Sequence, residues 1–262
     1  MTDPKVASWL EALDRRHLAQ LTAPEVARAL KALSTRYVER RSTLSSGAAL
    51  DSAGKRAAFA LFYAPVHFFT LSRIVRSLPS AIEHVSEIID VGCGTGAAGA
   101  SWAGEIHAEN NRAPGTARVA GFDRHPWAVS EANWTYRELR LRGHAVQSDA
   151  RRAAINGKQG SAIVLGYTVN ELLPEVRDTL LPRLLTAHAR GARVLVAEPI
   201  ARRTVVSWWG TWRLAFEGAG GREDEWRFPF ELPTRQRDLA RAAGLDPREL
   251  TARTLYLTPE LA

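Results

Sequence analysis

The chain holds one cysteine, Cys93, in 262 residues. A lone thiol excludes an internal disulfide and leaves too few sulfurs for an iron–sulfur cluster or a cysteine-based zinc site. Long apolar runs are missing too. The longest uncharged one, Ala57 to Ser72, is short for a bilayer span and Pro65 interrupts it. The opening segment MTDPKVASWLEALDRR carries acids early and has no apolar h-region, so no secretory signal, no membrane partner and a cytoplasmic location are expected. There are no internal repeats and no low-complexity linker. The acidic run Glu223-Asp224-Glu225 lacks histidines at metal-ligand spacing, so it reads as solvated surface and no metal is expected.

What is present fits an ordinary globular protein, with 45% apolar and 24% charged residues. The length allows one large or two small domains. The formal charge is +7 and arginine carries nearly all of it. That balance suits an anionic partner such as RNA, or reflects nothing more than a GC-rich genome; both readings stand.

Residues 1–80 read as a helical extension. Leu10, Leu13, Leu18 and Leu21 recur near helical period, and Thr22-Ala23-Pro24-Glu25 is a capping box that starts a helix running through Tyr37 or Val38. Ser42 to Gly47 is loop-like. Helical pattern resumes over Ser52–Tyr63, Pro65 starts or kinks a further segment, and Pro79 ends it. Over 81–262 the pattern changes to short apolar runs alternating with helical stretches. Strands are predicted at Glu87–Val91, Ala117–Phe122, His144–Gln147, Ser161–Gly166, Arg193–Ala197 and Thr251–Leu257. Helices are predicted at Ala97–Asn110, Pro126–Arg142, Pro174–Arg190 and Thr234–Ala243, the last closed by Gly244. Repeated β-α units of this kind imply a parallel sheet covered on both faces.

The most telling stretch is Glu87-Ile88-Ile89-Asp90-Val91-Gly92-Cys93-Gly94-Thr95-Gly96. An apolar run ends in an acid, glycines recur at every second position, and a helix-forming segment follows. Such a turn exposes backbone N–H groups and the positive end of a helix dipole, with no Cβ in a ligand's way. The spacing is acid-x-G-x-G-x-G rather than the G-x-G-x-x-G of nicotinamide-binding folds. It resembles the S-adenosylmethionine loop of class I methyltransferases.

That resemblance implies a doubly wound α/β fold: a mostly parallel, seven-stranded, Rossmann-like methyltransferase sheet over 81–262, carrying the helical extension as a lid. It implies S-adenosyl-L-methionine as cofactor and S-adenosyl-L-homocysteine as product. Asp90, Gly92, Cys93, Gly94 and Gly96 would form the loop, with Asp90 positioning it or reaching the methionine amino group and Cys93 a small residue in a crowded turn. Asp123 ends the second apolar strand, where the resemblance puts an acceptor for the ribose diol. A carboxylate suits that task, although a helix cap is the plain alternative. Its neighbours Arg124 and Trp127 join the candidate cofactor site; Trp127 either flanks the adenine or is simple packing. Asp149 and Ala150 end the third strand and would meet the adenine, or make an ordinary turn. Gly166 ends the fourth.

Acceptor-facing residues are expected from the loop after the fourth strand. There, Tyr167 would form a wall, Asn170 would orient an amine or hydroxyl and Glu171 would take a proton; alternatively Asn170 and Glu171 cap the next helix. The segment lacks the Asn/Asp-Pro-Pro-aromatic motif of enzymes that methylate exocyclic amines. His67 is the best-placed histidine for general-base work, unless it is a satisfied core residue. Tyr63 lies beside it. Downstream, Trp208, Trp209, Trp212 and Trp226-Arg227-Phe228-Pro229-Phe230 alternate with Arg202, Arg203 and Arg213. They would stack on bases, cover a flat small molecule, or pin an insertion to the sheet.

The run from Leu33 to Arg41 (with Arg36, Tyr37, Arg40 and Arg41) and the Glu198-Pro199 pair are similar to a methyltransferase-like family associated with the mitochondrial small ribosomal subunit and its bacterial relatives. The likeness implies an rRNA-type acceptor and RNA or the small subunit as partner. The helical extension, with Arg36, Tyr37, Arg40, Arg41, Lys55 and Arg56, is expected to cover the cofactor and build part of the substrate site. Members with a cysteine-rich metal cluster need cysteines that this chain does not have. A small-molecule methyltransferase and a non-catalytic assembly factor remain open alternatives. A monomer or weak dimer is expected.

Overall fold

The computed structural model describes residues 3–39, 50–110, 117–200 and 207–259. Arg40, Arg41, Arg202 and Arg203 lie outside them, as do the side chains of Arg36 and Tyr37.

The extension begins with α1 (Pro4–His17), whose first amides are met by the Asp3 carboxylate, which accepts from Lys5 N. In α2 (Ala23–Glu39) the capping box forms: Glu25 Oε2 accepts from Thr22 N at 2.8 Å and from its hydroxyl at 2.7 Å. Ser52 caps α3 (Ala53–Ala58), which runs through a π-turn (Phe59–Tyr63) into α4 (Ala64–Ser77). Pro65 explains the π-turn. Proline has no N–H for the Leu61 carbonyl and its ring would collide with that oxygen, so the helix widens one turn before it. The Leu61 carbonyl instead accepts from the buried Gln236 Nε2 at 2.9 Å. A defect in one helix is thereby repaired by a residue 175 positions away.

By length and composition Ala53–Ser77 is apolar enough to cross a membrane. Here it packs against the extension and α5 (Ala97–Asn110), with Leu71, Ile74 and Val75 in the core.

The remaining elements, in chain order, are β1 (Glu87–Val91), α5, β2 (Arg118–Asp123), α6 (Pro126–Glu138), β3 (Arg142–Gln147), β4 (Ser161–Gly166) and α7 (Pro174–Ala189). There follow β5 (Arg193–Glu198), α8 (Ser207–Gly218), β6 (Arg222–Pro229), α9 (Thr234–Ala242) and β7 (Glu249–Leu257). Among the described residues seven strands form one sheet, ordered β3-β2-β1-β4-β5-β7-β6, with β7 antiparallel to both neighbours and the other pairings parallel. This is the doubly wound, mostly parallel sheet expected.

Side chains alternate across it. Ile88 joins the core beneath the extension, α5 and α6; Ile89 and Val91 join the core beneath α7 and α8. Asp90 therefore faces α5.

The acidic run 223–225 is solvated surface as expected, Glu223 and Glu225 being exposed, and with Trp226-Arg227-Phe228-Pro229 it forms β6, an edge strand whose charges pair along it, Arg222 with Asp224 and Arg227 with Glu225. Two expectations need correction. The tryptophans at 208, 209 and 212 build α8. The helix from Pro126 stops at Glu138 because Arg140 takes φ +54, and β3 starts at Arg142.

Candidate cofactor and acceptor site

The loop after β1 turns on Gly92, Gly94 and Gly96, with φ of +70, +53 and +81. Only glycine adopts these angles freely. Space demands it as well. A β-carbon on Gly92 would collide with Thr168, and one on Gly96 would lie 2.8 Å from the Tyr136 ring. On Gly94 the nearest atom would be Phe59 Cε1 at 3.7 Å, so the π-turn roofs an otherwise bare stretch of backbone. Beneath the loop Asp90 is fully buried and its Oδ2 accepts from Gly99 N at 2.8 Å, in α5. Its Oδ1 has no hydrogen-bond partner among the described residues, and burial pushes its carboxyl up to about 7. Cys93 packs below the turn, where burial pushes its thiol upward, consistent with a filler rather than a nucleophile.

Asp123 stands at the end of β2 against this loop. Its Oδ2 accepts from Gly94 N at 2.9 Å and its Oδ1 from His125 N at 2.8 Å. The plain alternative of helix capping falls instead to His125, whose Nδ1 accepts from Trp127 N. A carboxylate has about four lone-pair sites, so Asp123 keeps room for hydroxyl donors. Arg124 is exposed at the mouth, and Trp127 is half-buried, edge-on to His17 and His125. Asp149, one strand further out, pairs with Arg151 at 3.0 Å, which holds its carboxyl below the usual range. Ala150 and Ala153 are pinned by Arg183, which donates to both carbonyls. Bare backbone, an orphaned buried carboxylate oxygen and a second acid at the adjoining strand end fit a nucleoside cofactor with positive charge.

The extension and the β4 loop supply an aromatic wall. His67 stacks on Tyr167 with ring centroids 3.8 Å apart and 15° between planes. Phe59 and Tyr63 flank His67 at 6.3 and 5.9 Å. Tyr167 holds φ +59, a strained angle for a bulky residue and one that concentrates at functional sites. Neither ring nitrogen of His67 bonds to a described residue, and burial pulls its pKa down to about 3, leaving a neutral imidazole. Tyr63 is pushed up to about 12 by burial while bonded to Ser34.

Past Gly166 and Tyr167, Thr168 donates to the Gly92 carbonyl at 3.1 Å, tying the two loops together. Asn170 is committed elsewhere. It donates from N and Nδ2 to the buried Glu198 at 3.0 and 2.6 Å and accepts from Trp208 Nε1 at 3.1 Å. This makes it a strut between β4, β5 and α8 rather than a group facing an acceptor. Glu171 makes no hydrogen bond or ion pair through its carboxyl with the described residues. Burial, with Glu198 and Asp123 nearby, pushes it up to about 8.

Other candidates are not gathered here. Trp208 and Trp209 are 7% and 5% exposed in the core under α7 and α8, and Trp209 Nε1 donates to Glu223 at 2.6 Å. They pin α8 to the sheet. Arg227 sits on the outermost strand, separated from β1 by β4, β5 and β7, and pairs with Glu225. Sequence reading missed Phe59 and Tyr136. A phenylalanine in an apolar helix carries no visible signal, but Gly96, Gly121 and Gly143 all clear space for one tyrosine ring.

Neither a protein-family model nor a curated protein matches the sequence. Solved structures do. A candidate O-methyltransferase from Nostoc punctiforme aligns at 14% identity and TM-score 0.52, over 88% of this chain and 72% of that one. The mitomycin 7-O-methyltransferase MmcR aligns at 14% identity and TM-score 0.50, over 98% and 74%. Coverage this wide takes the likeness into the N-terminal helices.

Proposed function

We propose that this chain, which has the fold of class I S-adenosylmethionine-dependent methyltransferases, binds that cofactor over Gly92–Gly96 and methylates a compact acceptor bearing a planar ring. The observation that carries the reading is the bare glycine backbone framed by Asp90 and Asp123 and roofed by Phe59. When bound, the cofactor supplies an electrophilic methyl group on a sulfonium.

The chain's own part is orientation and exclusion of water. Asp123 accepts from the ribose hydroxyls, Asp149 and Ala150 meet the adenine, and Trp127 borders it. Phe59 and Tyr63 hold an acceptor ring against the mouth. His67, kept neutral by burial and steadied by Tyr167, accepts a hydrogen bond from the acceptor and orients it. Support for a compact acceptor comes from this aromatic wall, and from the two structural neighbours being O-methyltransferases by description, one of them a candidate.

A second reading, RNA of rRNA type as acceptor, is favoured by the +7 charge and by Arg40, Arg41, Arg202 and Arg203 in the segments outside the described residues. Against it, Arg140, Arg142 and Lys158 stand at the starts of β3 and β4, the edge opposite the glycine loop. The deciding experiment gives labelled cofactor and the intact protein to metabolite, RNA and protein fractions, with Gly94→Arg as control. Label in the metabolite fraction is expected. Label in RNA alone would establish the second reading. Tight cofactor binding with label nowhere would leave a non-catalytic assembly factor and overturn the enzyme.

A further inference from the structure

We propose that Arg183 is a positioning residue: from α7 it fixes the backbone that follows β3, so that Asp149 reads the amino group of the cofactor's base. The inference rests on the cofactor reading above.

Three crossings between parallel strands of this sheet carry a helix: α5 after β1, α6 after β2 and α7 after β4. The crossing from β3 to β4 does not. Residues 148–160 form neither helix nor strand, so their carbonyls lack the internal partners a helix would supply. Arg183 supplies partners for three of them. Its Nη1 donates to the carbonyls of Ala150 at 3.2 Å and Arg151 at 2.8 Å, and its Nη2 donates to that of Ala153. A planar guanidinium holds all three in one geometry, which a flexible ammonium does not. The same stretch is anchored by Ala153 and Ile155, which join Leu180 and Leu184 of α7 in the core.

The strand order β3-β2-β1 decides where the base goes. With the sugar hydroxyls on Asp123 and the charged tail over the β1 loop, the base extends away from β1, across the end of β3. Ser148 N donates to the Asp123 carbonyl at 2.9 Å and ties the two strand ends together. Asp149 comes next. Its Oδ1 accepts from Arg151 N at 2.9 Å and from Arg151 Nε at 3.0 Å, while its Oδ2 has no hydrogen-bond partner among the described residues. An ionised carboxylate only accepts, so that oxygen welcomes an amino N–H and repels an oxo group. Arg183 reaches it at one remove: it grips the Arg151 carbonyl, and the amide of the same residue orients the carboxylate.

The test is calorimetry on the intact protein with S-adenosylhomocysteine and its inosine counterpart, in which an oxo group replaces the amino group of the base. The wild type is expected to prefer the adenosyl ligand by at least about 30-fold. Arg183→Ala is expected to cut that preference at least about tenfold, chiefly by weaker adenosyl binding. Arg183→Lys keeps the charge without the fork and is expected to cut it at least about threefold. A residue that merely stabilised the fold would lower the urea midpoint and leave the preference intact. An unchanged preference in folded Arg183→Ala, or in Arg183→Lys where the first does not fold, overturns the assignment and leaves the cofactor site standing. So does a wild type that binds the two ligands alike. Absence of binding by either ligand overturns both readings.

Discussion

The two halves of the site are built on opposite plans. Around β1 and β2 the polar groups are largely committed: Asp123 uses both oxygens on amides and Asp90 holds α5 through Gly99. Around β4 and α4, His67 and Glu171 have no hydrogen-bond partner among the described residues. On the function proposed above, the first half is the cradle for the cofactor, the ligand that is always the same. The second keeps its titratable groups unengaged, as a site must if protons are to move.

The sharpest way to break the comparison is Gly94→Arg. The β-carbon has room, so the left-handed angle costs only about 1–2 kcal/mol of stability, yet the guanidinium chain fills the space under Phe59. Cofactor affinity should fall more than about 100-fold by calorimetry while the protein stays folded. In the other half, His67→Phe, which keeps a ring on Tyr167 and removes the acceptor nitrogen, should lower kcat about 10-fold for whichever fraction the wild type labels, with cofactor affinity unchanged. An unchanged kcat removes the orienting role.

Asn170→Ala tests the strut between the halves. Losing two bonds to Glu198 and one from Trp208 should destabilise by about 1–3 kcal/mol in urea unfolding. A kcat loss without a stability loss would return Asn170 to the acceptor side. Smaller still is a pH effect on the ligand-free protein. His67, with its folded pKa depressed, adds stability as pH rises only up to its unfolded value of 6.5. Asp90 and Glu171, with folded pKa values raised to about 7 and about 8, withdraw stability as pH climbs toward those values. Between 6.5 and 8 the acids act alone, so the melting temperature should fall there and the fall should shrink in Glu171→Gln. Arg227→Ala, at a paired and exposed edge position, should move neither stability nor affinity beyond about 0.5 kcal/mol.

The cradle was legible in the sequence because local rules write it. Glu87–Val91, Ala97–Asn110 and Ser161–Gly166 have the boundaries expected, since buried parallel strands are unbroken apolar runs and glycines punctuate them. The other half was legible only in pieces. His67 and Tyr167 are 100 residues apart and neither carries a motif; the contact between them exists because the fold brings α4 to the loop that follows β4. β6 has no predicted span because an edge strand with paired, solvent-facing charges has the composition of a loop. α8 has none because its tryptophans left three readings open, and packing against the sheet is the one the structure bears out.

The π-turn is, in register, one residue inserted into a helix that would otherwise run straight from Ala53 to Ser77. A wide turn of this kind takes up one extra residue while the flanking turns keep their phase. Deleting a single position between Phe59 and Tyr63 would therefore close it into ordinary helix with both flanks in place, and would set the Pro65 ring against the carbonyl one turn back. The consequence is local: the sheet is untouched, and the strain falls on the turn that carries Phe59 over Gly94.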